Sequence, residues 1–122
     1  MKDEIKKLLF DINESVDSIF VYIGKKRNFD EYNKNKMLRR AVEREFEIIG
    51  EAINKILKFD SEFKIKNARK IIDLRNLVIH GYDQVDNAII WGIISRDLPE
   101  LKNEVTKLLN INNGEEKLSE ST

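Results

Sequence analysis

The chain has 122 residues, enough for one domain with a core of its own. It has no cysteine, which excludes a disulfide framework and a thiolate zinc site. Twenty-two basic residues balance 22 acidic ones, so the formal net charge is zero and gives no global argument for a nucleic-acid partner.

The first predicted element is a helix. Ile5, Leu8, Leu9, Ile12, Val16, Ile19, Phe20 and Ile23 recur at helical spacing, and Gly24 suits a left-handed stop. The opening "MKDEIKKLLFDINESVD" has acidic residues throughout, so neither a secretory signal nor a transit peptide is expected. No apolar run approaches the roughly 20 residues a membrane span needs. A soluble, cytoplasmic protein without a membrane partner is the expectation.

"KKRNFDE" reads as a loop. A long helix is predicted from Asp30 to Lys58, with Leu38, Ala41, Val42, Phe46, Ile49, Ala52, Ile53 and Ile56 on one stripe. Gly50 interrupts it, where glycine costs about 1 kcal/mol relative to alanine. Close approach of another helix would explain that choice. "DSEFKIKN" is a second connection.

A third helix is predicted from Ala68 to His80, ended by Gly81, and a fourth from Val85 through Ile89, Ile90, Trp91, Ile93 and Ile94. Pro99 either kinks this helix or opens a separate last one, since proline lacks the donor that the preceding turn needs. Leu98, Leu101, Val105, Leu108 and Leu109 continue the apolar face. No strand pattern and no fixed-period repeat occur. The predicted fold is an all-α, up-and-down bundle of four to five helices over residues 1–109, followed by a disordered polar tail over 110–122.

Charge is unevenly spread. Lys25 to Arg44 carries eight basic residues against three acidic, and Lys64 to His80 carries five against Asp73. Arg40, Arg44, Lys64 and Arg69 are candidates to contact RNA backbone or a protein partner. The alternative is an ordinary solvated helix face. Glu47 and Glu51 resemble a paired-carboxylate arrangement, but Arg44 and Lys55 lie three or four positions away and make salt bridging the preferred role. Trp91 is expected in the core or at a dimer interface.

The stretch that carries chemistry is "RNLVIHGYD", Arg75 to Asp83, with the only histidine of the chain. Imidazole titrates near neutral pH and can give or take a proton. A guanidinium offers a planar fork of donors to phosphate oxygens. Together they suit metal-free cleavage of RNA, with histidine deprotonating a ribose 2′-hydroxyl or protonating the leaving oxygen. On an ideal helix Arg75 and His80 point about 140° apart, so a helix break at Gly81 would have to bring them together. One histidine per chain is a poor start for concerted acid and base, and a symmetric dimer would supply two. A structural reading also stands: a histidine at a helix C-terminus interacts favourably with the dipole, and Tyr82 can be a half-buried ring. Asn76 reads either as a surface amide or as an added hydrogen bond to phosphate or to the His80 loop.

"RNLVIHGY" resembles the R-x4-H-x-Y signature of the HepT-like toxins, within the HEPN group of helical domains. "RAVEREFEIIGEAINKI" and "VIHGYDQVDNAIIWGIISRDLPELKNEV" resemble that family's second helix and its third-to-fourth helix passage. The resemblance implies an all-α homodimer whose motif lines a cleft between subunits and cleaves RNA without a metal or cofactor. It implies that Arg75 binds and polarises the phosphate and that His80 is the general acid or base. It further implies a type VII-like toxin–antitoxin pair, in which a minimal nucleotidyltransferase antitoxin transfers AMP to the Tyr82 hydroxyl and silences the nuclease. The competing function is a non-catalytic helical adaptor that binds a nucleotidyltransferase or a nucleotide.

Overall fold

The computed structural model describes residues 2–79 and 86–121, with the side chains of 77–79 and 111–121 outside the description. The described elements are all helical: α1 (Asp3–Ile23), α2 (Phe29–Lys34), α3 (Lys36–Phe59), α4 (Ala68–Ile79), α5 (Asn87–Gly92), a π turn (Ile93–Asp97) and α6 (Leu98–Ser121). The all-α expectation holds.

Asp3 and Glu4 sit in the first turn of α1, where negative charge complements the exposed N–H groups. Gly24 ends the helix with a positive φ of 77°, as its placement predicts, and its N–H bonds the Phe20 carbonyl. α1 packs against α3 and α6, and α3 in turn packs against α2 and α4. Ile5, Leu9, Ile12, Val16 and Ile19 of α1 meet Val42, Phe46, Ile49, Ile53 and Ile56 of α3 in one continuous core, completed by α4, α5 and α6. Each of these is essentially inaccessible to solvent. Burying a residue of this size contributes roughly 1.5–3 kcal/mol.

Three boundaries differ from the sequence pattern. The helix predicted from Asp30 is two pieces broken at Asn35, which adopts an extended backbone (φ −99°, ψ 97°). Its side chain accepts from Leu38 N–H at 3.0 Å to cap α3, while its own N–H closes α2 onto Glu31 and Tyr32. Asparagine is among the best N-caps because its short amide can replace the missing intrahelical acceptor. At Pro99 the helix neither stops nor restarts. α5 runs through the π turn into α6, and Leu98 N–H reaches back to the Ile93 carbonyl. Finally, α6 carries on to Ser121, through the segment assigned to a polar tail.

The connection before α4 is fastened to α6. Lys66 N–H donates to both carboxylate oxygens of Glu104 at 3.1 Å, and Asn67 Nδ2 donates to Glu100 at 3.1 Å. Lys70 Nζ stands 3.3 Å from the carboxylate of Asp97, which is buried within the π turn. These bonds fix where α4 begins, and hence where its later turns fall. No described helix is long and apolar enough to cross a membrane.

Candidate functional site

Arg75 lies on α4, directly after Leu74, which is buried in the core. Its half-buried side chain runs over α3 at Gly50. A Cβ built at Gly50 would stand 2.5 Å from Arg75 Cβ and 2.7 Å from its Cγ. The expected close approach of a helix to Gly50 is therefore present, and the approaching residue is Arg75. Beyond that crossing, Arg75 Nη1 donates to Asn76 Oδ1 at 3.1 Å. Its Nε is buried and makes no hydrogen bond among the described residues. Among the described residues Arg75 makes no ion pair, so an arginine held by its stem and by one terminal nitrogen keeps terminal donors for a phosphate.

His80 and Tyr82 lie outside the described residues, as do Gly81 and Asp83. The helical segment bearing Arg75 is described as far as Ile79. The chain is described again from Asp86, whose carboxylate caps α5 by accepting from Ala88 N–H at 2.8 Å.

Asn76 hydrogen-bonds Arg75 itself, a partner that neither sequence reading of this residue named. The four peripheral candidates do not share one setting. Arg40 pairs with Glu43 at 3.0 Å, Arg44 with Glu47 at 2.9 Å, and Arg69 with Asp73 at 3.4 Å. Lys64 is exposed in the connection before α4, with no ion pair among the described residues. By helical rise, Arg44 and Arg40 lie about 9 and 15 Å along α3 from Gly50. Surface pairs of this kind contribute about 0–1 kcal/mol and exchange readily with other anions. Glu51 pairs with Lys55 at 3.4 Å, so both carboxylates singled out on α3 form the local salt bridges expected of them.

Trp91 belongs to an intramolecular aromatic cluster, with ring centroids 5.3 Å from Tyr32 and 5.8 Å from Phe29. Tyr32 went unnoticed in the sequence, where it falls in the helix predicted from Asp30, ahead of the apolar stripe that starts at Leu38. It is 1% exposed. Burial pushes its hydroxyl well above the ordinary tyrosine value of 10.0, the Glu43 carboxylate adds to the rise, and Arg39 opposes it. The folded protein thus holds this proton to higher pH than the unfolded chain does. The associated stability is complete below pH 10.0 and is lost as pH climbs from there toward the folded value. Tyr32→Phe is expected to flatten that alkaline decline in urea-unfolding titrations. Equal slopes for variant and parent would refute it.

Comparison with known proteins agrees with this architecture. The chain matches the family described as "Ribonuclease HepT-like" over residues 5–108. A Methanocaldococcus jannaschii protein with a provisional RNase name is 37% identical over 106 residues, covering 85% of this chain and 95% of the relative. A second from that organism, also provisionally named an RNase, is 34% identical over 110 residues, covering 88% and 89%. A Thermococcus cleftensis protein provisionally named ribonuclease HepT is 32% identical over 112 residues, covering 88% and 98%. No solved structure matches. Fold and matches together define a small all-helical ribonuclease. More narrowly, the chain belongs to the ribonuclease HepT-like family.

Proposed function

We propose that this chain is the toxin of a toxin–antitoxin pair: an RNA endonuclease that needs no metal and is silenced by AMP transfer to Tyr82. The observation that carries the reading is Arg75. Its guanidinium is anchored at the α3–α4 crossing with donors to spare, five positions before the chain's only histidine and inside the family match.

The chemistry follows from the groups. Arg75 neutralises a non-bridging phosphate oxygen and stabilises the extra negative charge of a five-coordinate phosphorus. His80 removes the proton of the ribose 2′-hydroxyl as that oxygen attacks, or returns a proton to the departing 5′-oxygen. The products are a 2′,3′-cyclic phosphate and a 5′-hydroxyl. A two-fold dimer brings a second imidazole, so that one can act as base and the other as acid. A nucleotidyltransferase partner adding AMP to Tyr82, two residues from His80, places negative charge where an RNA phosphate belongs.

Two measurements test this. Purified protein treated with EDTA is expected to cut single-stranded RNA to cyclic-phosphate ends, and to leave the 2′-deoxy oligonucleotide whole; cleavage of both would refute 2′-hydroxyl attack. Co-expression with a minimal nucleotidyltransferase is expected to add AMP mass to the parent and none to Tyr82→Phe. AMP on the same peptide of that variant would remove Tyr82 from its role.

A further inference from the structure

We infer that Gly50 is a positioning residue for RNA cleavage: the bare α-carbon on α3 is the seat that sets where the Arg75 guanidinium stands. The inference rests on the proposed role of Arg75 and adds a residue outside the motif to it. Gly50 is buried in the middle of a helix, where its intrinsic propensity is unfavourable. The three atoms nearest to where the missing side chain would begin all belong to Arg75: its Cβ, Cγ and Cδ would lie 2.5, 2.7 and 3.4 Å from an added Cβ. No flexible chain end is involved in the two shortest contacts. The clash falls on the first atoms of the arginine stem, which cannot swing aside without moving α4 or rotating the side chain.

Two further features show that the seat controls the head group. Arg75 Cβ, Cγ and Cδ lie against Gly50 and its Nε is buried, so the stem is enclosed from its root to the base of the fork. Beyond Nε the Nη1–Asn76 bond at 3.1 Å fixes the plane of the fork. The start of α4 is independently fastened to the π turn and α6 through Lys70–Asp97 and Asn67–Glu100. With that end tethered, an added methyl group at Gly50 must displace the turn that bears Arg75. A displacement of about 1 Å in a group aimed at a reacting phosphate costs on the order of 10²-fold in rate.

The test is a double-mutant comparison of Gly50→Ala, Arg75→Ala and the pair. Alanine at 75 keeps Cβ, so steric strain against the methyl group added on α3 persists, while the guanidinium is gone. Three quantities are read: kcat on single-stranded RNA, affinity for a fluorescein-labelled, fully 2′-O-methylated RNA that cannot be cut, and Tm. Gly50→Ala is expected to lower kcat by about 10²-fold. It is expected to weaken affinity for the methylated RNA about tenfold, as for a lost charge-assisted bond to phosphate. In the Arg75→Ala background the affinity effect should vanish while the Tm effect remains. Equal loss of affinity in both backgrounds would make Gly50 merely structural and overturn the inference. So would a folded Gly50→Ala with parental kcat. An Arg75→Ala protein that still cleaves RNA at the parental rate would instead fault the assignment of Arg75, and the inference with it.

A measurement on the parent covers the case in which Gly50→Ala does not fold. The Arg75 Nε–H signal, assigned by its disappearance in Arg75→Lys, is expected to exchange with solvent much more slowly than those of exposed Arg40, Arg44 and Arg69. Equally fast exchange would show that the stem is not seated, and would overturn the inference.

Discussion

Arg75→Ala and His80→Ala are each expected to remove RNA cleavage while leaving a folded helical protein. Loss of one donor that stabilises developing charge costs about 10²–10³-fold in rate. Loss of a general acid or base costs about 10²–10⁴-fold. The two variants should differ in their side effects. Truncating Arg75 empties the space over Gly50 and leaves Asn76 without its donor, so some thermal stability is lost as well. Arg75→Lys separates the two effects. Lysine keeps the stem that lies on Gly50 but replaces a planar fork by a point charge, and most of the cleavage should go with the fork. Initial rates on labelled RNA, with circular dichroism on the same samples, decide the matter. A variant at position 75 or 80 that cleaves at the parental rate would remove that residue from the mechanism.

The largest effect on stability is expected from Phe46→Ala. This ring is completely buried in the middle of α3, within the core shared with α1. Truncating a buried phenylalanine loses its transfer free energy and leaves a cavity, together about 3–5 kcal/mol. Domains of this size are stable by about 5–15 kcal/mol, so the variant should be markedly easier to unfold. Met37→Ala, in the first turn of the same helix but 81% exposed, should change stability by less than about 0.5 kcal/mol. Urea midpoints for the two proteins provide the comparison. Similar midpoints would mean that the α1–α3 core does not dominate the fold.

Much of the scaffold is legible in the sequence. The α1 and α3 stripes follow helical spacing closely, and Gly24 and Gly50 announce a stop and a crossing for reasons that are purely local or steric. The Arg44–Glu47 and Lys55–Glu51 pairs follow from spacing along one helix. What escapes has a different physical origin. Asn35 breaks the helix predicted from Asp30 just ahead of Leu38, the first residue of its apolar stripe, and its capping chemistry marks the boundary. Asn76 bonds its neighbour because of how Arg75 is seated, which depends on α3 and not on α4. Asp97 is buried, and its partner Lys70 comes from far away in sequence. Tyr32 hides in a short helix that only Trp91 and Phe29 make into a packed layer. At the site, the motif names Arg75 directly, while the groups that hold it are its own neighbour and a glycine on another helix.

The wide turn at Ile93–Asp97 has a bearing on how the last helix keeps faith with the rest of the bundle. Ile90, Ile94, Leu98, Leu101, Val105 and Leu109 are all buried, and they span nineteen positions. An unbroken α-helix would by then have drifted about 100° past five whole turns, carrying Leu109 toward solvent. One loosely wound turn absorbs the surplus residue and restores phase, and Pro99 follows where its absent N–H has least to disrupt. The chain thus tolerates an odd residue in a continuous rod by unwinding once, and removing that one residue would leave a plain α-helix of five whole turns from Ile90 with the last leucine still facing α1.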